Sequence, residues 1–477
     1  MNFNIPKNVT EVLCMLQNSG YEAYIVGGCV RDLLLGKEPN DYDITTNAIP
    51  SQIKKVFSNY QIINNNGEKH GTVTVRYNKE NIEITTYRID SNYEDHRHPN
   101  DIIFTSSLKE DLSRRDFTIN AIAYDGKQII DYFGGISDLN DKIINAVGNA
   151  EKRFEEDALR ILRGIRFACV LDFDISYPTK EAMLSKKEDL SFISKERIQS
   201  ELNKMICYPK FSDLMLYTPL REILFQIIPF LKKTYLFNQK NKYHPHDLFE
   251  HSMFVHKLVC LNKLTDLNDY QVKLAAILHD IGKVVSFQEY INESGIIQHH
   301  YDGHPQKSCE IALDILNDLK YSNQDKELIT WLIKHHDFDF SLTNPKRTLK
   351  KLLNSLPDNL SEEEEKKYIK DFCILRQADK DDHIGMTAYD KKLEKQSGKL
   401  YIHSEEVLLL YQELKKEKDC FKLKDLKVNG YDLINIGFKG KEIGMILNLL
   451  LNKVINEEIK NEKKLLLEFV KNGSDNK

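Results

Sequence analysis

Residues 25–46, IVGGCVRDLLLGKEPNDYDITT, gather residue types that suit nucleotide chemistry. Ile25 and Val26 close a short β-rich run, Gly27-Gly28 breaks it, and Val30–Leu35 read as the first turns of a helix. A strand, a glycine pair and a helix start, in that order, expose backbone N–H groups where a triphosphate can sit. Asp41-Tyr42-Asp43-Ile44 reads as a second strand. Residues two apart in a strand share a face, so Asp41 and Asp43 project together. Two such carboxylates repel unless a cation lies between them, and hard oxygen ligands beside a phosphate cradle suit Mg²⁺. Taken singly, a glycine pair is an ordinary turn and Asp-x-Asp an ordinary solvated strand edge. Their succession across a helix start carrying Arg31 and Asp32 is what carries weight.

A second concentration of chemistry lies mid-chain, where ten of the 15 histidines fall between His244 and His336. His251, the His279-Asp280 pair ending the apolar run LAAILHDIG, and Asp379 in QADK resemble the HD phosphohydrolase superfamily. Imidazoles and carboxylates converging from separate helices suit a divalent transition metal. By that resemblance His251, His279, Asp280 and Asp379 hold one ion, and His304 with the His335-His336 pair offers ligands for a second. A single buried histidine is more often a satisfied core residue; the spaced set is not.

The elements that must position the first cluster read as a small sheet. Residues 7–19 form an amphipathic helix with Val9, Val12, Leu13 and Leu16 on one face. Thr72–Arg76 and Ile82–Arg88 read as strands, the latter alternating apolar and polar side chains. The joined motifs resemble the nucleotidyltransferase superfamily that includes DNA polymerase β, and more closely the class II CCA-adding enzymes and bacterial poly(A) polymerases. In that fold a third carboxylate sits on a strand beside Asp-x-Asp, which makes Glu83 the candidate here. Residues 91–104, SNYEDHRHPNDIIF, fall where the family has a flexible loop and keep its tyrosine, aspartate, arginine and proline. Arg114-Arg115-Asp116-Phe117-Thr118-Ile119-Asn120-Ala121 matches the family's second motif nearly letter for letter. The resemblance implies that Gly27, Gly28, Arg31 and Arg115 hold the triphosphate and that Asp116 helps select ribose. DYFGG at 131–135 matches a more structural motif.

From Ala150 the pattern turns helical, and the run from Glu155 begins with acids, as a helix N-terminus prefers. Asp157 and Arg160 lie one turn apart, as an ordinary intrahelical ion pair would. Cytosine and adenine both offer an exocyclic amine beside a ring-nitrogen acceptor. An Asp can accept from the amine while an Arg donates to the acceptor, so one pair reads both bases and rejects G and U. The family selects bases with this Glu-Asp-x-x-Arg motif, here Glu156, Asp157 and Arg160. Arg163 and Arg166 continue it toward the triphosphate or the acceptor end. SKERIQSEL at 194–202 resembles the helix-turn motif that supports the site, with Glu196 and Arg197 read as structural.

At 477 residues the chain exceeds what one core supports. With 41% hydrophobic and 29% charged residues it is not a disordered chain. A net charge of −5 opposes a general nucleic-acid coat but leaves room for a local basic face. Eight scattered cysteines without a CxxC pair fit reduced thiols, and no secretory leader or long apolar run is evident, so a cytoplasmic protein is expected. The run SEEEEKK at 361–367 reads as a capped, solvated helix start. Gly437–Gly444 reads as a glycine-rich turn; it resembles a segment that ends many bacterial CCA-adding enzymes, which implies that Lys439 and Lys441 can meet tRNA phosphates.

The expected fold class is α+β, in four parts: a polymerase-β-like nucleotidyltransferase head with a small sheet (1–148), an all-α neck (149–240), an HD-type metal-binding body (241–385) and a helical tail (386–477). The resemblance implies Mg²⁺-dependent addition of C, C and A from CTP and ATP to the tRNA 3′ end without a nucleic-acid template, Asp41, Asp43 and Glu83 being catalytic. A phosphohydrolase activity of the HD site is implied beside it. Neither a membrane nor DNA is expected as a partner. The alternatives are an A-adding enzyme or a poly(A) polymerase. The latter branch usually carries a basic extension, where this chain ends in KNGSDNK. From another class, an HD phosphohydrolase with an RNA-binding head is opposed by the intact Asp41/Asp43 and Glu156-Asp157-x-x-Arg160 sets.

Overall fold

A computed structural model of the chain describes residues 3–63, 66–90, 102–239, 246–291, 297–338, 344–384 and 404–474. It divides into two compact units, Met1–Lys232 with Asn317–Tyr321, and Lys233–Leu316 with Ser322–Lys477.

The first unit opens with helix α1 (Lys7–Asn18), whose Val9, Val12, Leu13 and Leu16 are all buried, as their spacing predicts. Burying side chains of this size contributes roughly 1.5–3 kcal/mol each. Strand β1 (Ala23–Val26) leads through Gly27 into α2 (Gly28–Leu34), and β2 (Asp43–Thr46) follows. Helix α3 (Pro50–Val56) and strands β3 (Gln61–Ile63), β4 (Thr72–Tyr77) and β5 (Glu80–Thr86) come next. A hairpin, β6 (Arg88–Asp90) and β7 (Ile102–Phe104), precedes α4 (Leu108–Ser113), β8 (Ile122–Tyr124) and β9 (Ile129–Asp131). Seven of these strands form one sheet in the order β3-β4-β5-β2-β1-β8-β9. Strand β2 pairs antiparallel with β1 and parallel with β5, Asp43 lying directly opposite Glu83. The expected strand from Asp41 is shorter: pairing starts at Asp43, and Asp41 belongs to the extended lead-in. The expected strand to Arg88 ends at Thr86, since Arg88 turns away to open the hairpin.

Helix α5 (Gly135–Asn140) closes the head, and the stretch expected as the neck is helical from α6 (Ala150–Glu156) through α7 (Leu159–Leu171), α8 (Tyr177–Ser185), α9 (Lys195–Met205), α10 (Lys210–Tyr217) and α11 (Arg221–Ile227). One correction concerns the run from Glu155, expected as a single helix start. Asp157 adopts extended dihedrals (φ −146°, ψ 102°) and ends α6, so a new helix begins beyond it. The local reason is its own side chain, whose Oδ1 accepts the Leu159 N–H at 3.0 Å and competes with helix continuation.

In the second unit α12 (Leu248–Leu261), α13 (Tyr270–Leu278), α14 (Lys283–Ser286), α15 (His304–Asp318), α16 (Asn323–His335), α17 (Pro345–Asn354) and α18 (Glu362–Ile384) build a helical body. Ser361 caps α18, its Oγ accepting the Glu364 N–H at 3.2 Å. Helices Ser404–Glu417, Gly430–Asn435, Lys441–Ile455 and Lys463–Ser474 make the tail, where Leu433, Leu450, Leu451 and Leu466 lie in one buried cluster. Gly437 (φ +105°) and Gly440 (φ +56°) form a turn shorter than the one expected to Gly444, because the next helix already begins at Lys441. No helix among the described residues is long and apolar enough to cross a membrane.

Candidate active site and metal centre

A cleft of about 690 Å³ in the first unit is lined by Gly27, Gly28, Arg31, Asp41, Asp43, Arg114, Arg115, Asp116, Asn120, Asp157, Leu159, Arg160, Arg163, Arg166, Phe167 and Arg197. Every head and neck residue singled out from the sequence as nucleotide-binding is on this surface. Gly27 has φ +81°, and a Cβ there would stand 3.0 Å from Arg115 Nη1, so only glycine lets the guanidinium close over the loop. Arg31 is aimed by two partners, its Nε donating to Asp32 Oδ1 at 2.9 Å and its Nη1 to Asn120 Oδ1 at 2.8 Å. Arg115 lies 3.7 Å from Asp111 Oδ2, and its buried Nε has no hydrogen-bond acceptor.

Asp41 and Asp43 line the cleft from the exposed start of β2. Loss of surrounding water pushes the Asp43 carboxyl above its ordinary range, against the pull of Arg115 and with the charge of Asp41 adding to the rise. Such a carboxylate gains from a bound cation. Glu83 is exposed beside Asp43 in register, yet it does not line the cleft, and its oxygens do not gather with those of Asp41 and Asp43 within 4.8 Å.

Asp116 is buried and its oxygens are occupied. Oδ1 accepts from Asn120 Nδ2 at 3.1 Å and the Phe117 N–H at 2.8 Å, and Oδ2 accepts from Arg163 Nε at 2.9 Å. Burial raises its pKa, but the Arg163 charge prevails and holds it below the usual range. Arg160 does not pair with Asp157. Its Nη1 donates to Glu156 Oε2 at 2.6 Å and its Nη2 to the Arg114 carbonyl at 2.9 Å. Asp157 Oδ2 instead accepts from Arg197 Nη2 at 3.1 Å. Arg197, read as structural from the sequence, is therefore part of the cleft. Phe167, read as one of an apolar stripe, also faces it. The guanidinium carbons of Arg31, Arg163 and Arg166 lie 5.2, 5.5 and 4.2 Å from its ring centre. Arg163 lies four residues before Phe167 on α7, within reach of the helical period, whereas no spacing rule exposes the approach of Arg31 from α2 or of Arg197 from α9. Of the expected loop 91–104, residues 91–101 lie outside the described residues, and Ile102–Phe104 form β7.

In the second unit His251 on α12, His279 and Asp280 after α13, and Asp379 on α18 converge. His251 Nε2 lies 3.2 Å from His279 Nε2, 3.4 Å from Asp280 Oδ2 and 3.3 Å from Asp379 Oδ1. His304 Nε2 and His336 Nε2 approach the other oxygen, Asp280 Oδ1, at 3.2 and 3.3 Å. His335 is turned away, its ring 4.6 Å from that of Trp331, so only one of the expected pair joins the centre. Gly282 makes the approach of His304 possible: a Cβ there would fall 2.4 Å from the His304 carbonyl oxygen.

The tautomers decide what this centre is for. All four imidazoles are tied at Nδ1 to oxygens that can only accept: Asp382 Oδ2 at 2.7 Å for His251, and the carbonyls of Ala276 (2.8 Å), Tyr301 (3.0 Å) and Ile333 (2.7 Å) for His279, His304 and His336. Each Nε2 therefore turns a lone pair toward the carboxylates, an arrangement a cation satisfies. Asp280 Oδ1 is correspondingly buried without a hydrogen-bond donor. The triads His251–His279–Asp379 and His279–Asp280–His336 each bring ligand atoms within 4.8 Å. The donor set fits a divalent metal. Metal-free, protons take its place: burial lowers the His279 pKa, but Asp280 and Asp379 prevail and carry it up to about 9. Lys283, whose Nζ is 2.6 Å from Asp280 Oδ2, and Asp382, one turn beyond Asp379 on the same face of α18, were not singled out from the sequence. The second was within reach of the helical period.

These features agree with comparisons to known proteins. Residues 23–145 match the poly(A) polymerase head domain, 172–233 the probable RNA- and SrmB-binding site of polymerase A, and 248–383 the HD domain. A CCA-adding enzyme of Staphylococcus aureus is 46% identical over 207 residues, 43% of this chain and 51% of that protein. The match thus spans about half the length of this relative. The crystal structure of the Bacillus stearothermophilus CCA-adding enzyme in complex with CTP is similar over 99% of both chains, with a TM-score of 0.67 and 26% identity. The Thermotoga maritima CCA-adding enzyme complexed with tRNA shares the fold, with a TM-score of 0.58 and 20% identity over 98% of this chain and 96% of that one. Fold and cleft define a polymerase-type nucleotidyltransferase head joined to an HD domain. Stretches of the chain match these two family models, and over nearly its whole length it is similar to a CCA-adding enzyme of known structure.

Proposed function

We propose that this chain adds C, C and A to the 3′ end of tRNA, taking CTP and ATP and releasing pyrophosphate. The observation that carries the reading is one cleft presenting Asp41 and Asp43 together with Asp157, Arg160 and a set of arginines. The similarity to a CCA-adding enzyme crystallised with CTP supports it. Arg31, Arg115 and the backbone at Gly27-Gly28 bind the triphosphate and fix its α-phosphate for in-line attack by the terminal hydroxyl. Asp157 accepts from the exocyclic amine of cytosine or adenine, and Arg160 donates to the ring nitrogen. Asp116 holds Arg163, and through Asn120 it also steadies Arg31, so its part in selecting ribose is played through these neighbours. Asp41 and Asp43 are the groups that hold Mg²⁺, with Glu83 behind them on β5. Bound there, Mg²⁺ supplies the charge that activates the hydroxyl and offsets the leaving pyrophosphate.

The four-part division at residues 148, 240 and 385 follows this reading. So does a cytoplasmic setting, where tRNA ends are made. A second reading concerns the HD centre alone. The facing lone pairs of His251, His279, His304 and His336 support one or two transition-metal ions and hydrolysis of a phosphate ester.

Incorporation of labelled CTP and ATP into tRNA lacking CCA tests the main reading, with Asp41→Ala/Asp43→Ala protein as the blank. Two C and one A, abolished in the blank, are expected. ATP use only on tRNA ending in CC would make it an A-adding enzyme, and unbounded A addition a poly(A) polymerase. No incorporation would overturn the proposal.

A further inference from the structure

Asp111, on α4, is fully buried, and none of the chemistry assigned above uses it. Its two oxygens reach three separate pieces of the head. Oδ1 accepts from Arg114 Nε at 3.0 Å and Arg114 Nη2 at 2.8 Å, and from the Arg88 N–H that opens the β6–β7 hairpin at 3.4 Å. Oδ2 accepts from Thr45 Oγ1 at 3.2 Å and faces Arg115 Nη2 at 3.7 Å. Each neighbour leads to the cleft. Thr45 lies on β2, two residues beyond Asp43. Arg115 covers Gly27. The Arg114 carbonyl accepts Arg160 Nη2 at 2.9 Å, so the segment Asp111 pins is also the anchor of the base-reading arginine. Burial raises the Asp111 pKa, but the charges of Arg114 and Arg115 outweigh it and keep the carboxylate ionised.

We infer that Asp111 is a positioning residue that sets triphosphate grip and base choice together, by locking the Arg114-Arg115 segment to β2 and to the root of the β6–β7 hairpin. It touches neither base nor phosphate. The inference rests on the nucleotidyltransferase reading of the cleft and goes beyond it. A residue that merely stabilised the head would lower the melting temperature while leaving the preference among bases intact. A residue that places Arg160 through the Arg114 carbonyl must also change that preference.

Asp111→Asn keeps shape and one acceptor oxygen but removes the charge that holds two guanidiniums. Affinities of the full chain for CTP, ATP, UTP and GTP are measured by calorimetry, with a thermal melt as the check of folding. Expected for Asp111→Asn is at least tenfold weaker CTP and ATP binding, with the CTP-over-UTP and ATP-over-GTP ratios falling at least threefold. Unchanged ratios in a folded variant overturn the inference, even where overall affinity falls. Should Asp111→Asn fail to melt cooperatively, Arg114→Lys, which keeps charge but loses the two-pronged contact, decides by the same ratios. A wild-type chain that binds no nucleotide overturns the reading of the cleft itself, an outcome distinct from loss of this inference.

Discussion

Phe167 shows how much of the site one side chain arranges. Its ring is buried against Phe117, centres 5.8 Å apart at 80°, and guanidiniums from Arg31, Arg163 and Arg166 stand around it. Three like charges so close repel, and each is countered by its own carboxylate, Asp32, Asp116 and Glu201 respectively. An aromatic face adds about 0.5–1 kcal/mol per cation. Phe167→Leu, nearly volume-conserving, is therefore expected to raise KM for CTP and ATP about tenfold with a smaller change in kcat, since the lost grip is on the ground-state triphosphate as well. Phe167→Tyr keeps the ring and should stay near wild type. Steady-state kinetics on both variants check this, and equal KM values for Leu and Phe would refute it.

At the scale of elements, helix periodicity settles what residue identity left open. His335 and His336 are adjacent, so about 100° separates them on a helix and one alone can face the centre. Buried residues of α16 precede both histidines at helical spacing, and it is His336 that faces the centre while His335 packs on Trp331. His336→Ala should weaken metal binding at the HD centre at least tenfold, and His335→Ala should not, as read by metal content after dialysis against a fixed free-metal buffer. Metal also competes with the proton that His279 keeps up to about pH 9. Burial lowers the His251 pKa, but its carboxylate partners likewise hold it well above its usual value, so apparent affinity should rise as pH is raised from 7 toward 9. Loss of metal from both variants alike would undo the assignment.

Much of this architecture was legible from the sequence because it is periodic or local, as in α1 with its stripe or the strand, glycine and helix around Gly27. The break at Asp157 was not, since a side-chain bond to a backbone two residues on defeats the same acidic pattern that announces a helix start. Nor was the bond from Arg197 to Asp157, which joins positions 40 apart in the chain through packing of helices. Sequence spacing reaches along one element, and sites are made between them.

For the whole chain, the net charge of −5 conceals the sign of its working surface. The cleft gathers seven arginines against four carboxylates, Asp41, Asp43, Asp116 and Asp157. Contacts to phosphates release counterions, so affinity falls with salt in proportion to their number. Binding of tRNA, by filter retention, should weaken at least about tenfold between ~50 and ~200 mM monovalent salt, as three or more such contacts require. Indifference to salt would mean that the basic surface does not meet the RNA backbone.

The placing of β2 has a consequence in time. This strand sits between β1 and β5, and β1 in turn waits for β8, nearly a hundred residues later in the chain. Asp43 meets Glu83 only through a parallel pair, which no hairpin can make and which must bridge the intervening β3 and β4. Local pieces, such as the β4–β5 hairpin and α1, can form early at little loop-closure cost, but the carboxylates come side by side only when distant segments have closed. The arginines wait in the same way: Arg31 is aimed by Asn120, and Arg163 and Arg166 arrive with α7. Triphosphate grip and acids are therefore completed together, and competence for bond formation arrives with the last strands and the helices that follow them.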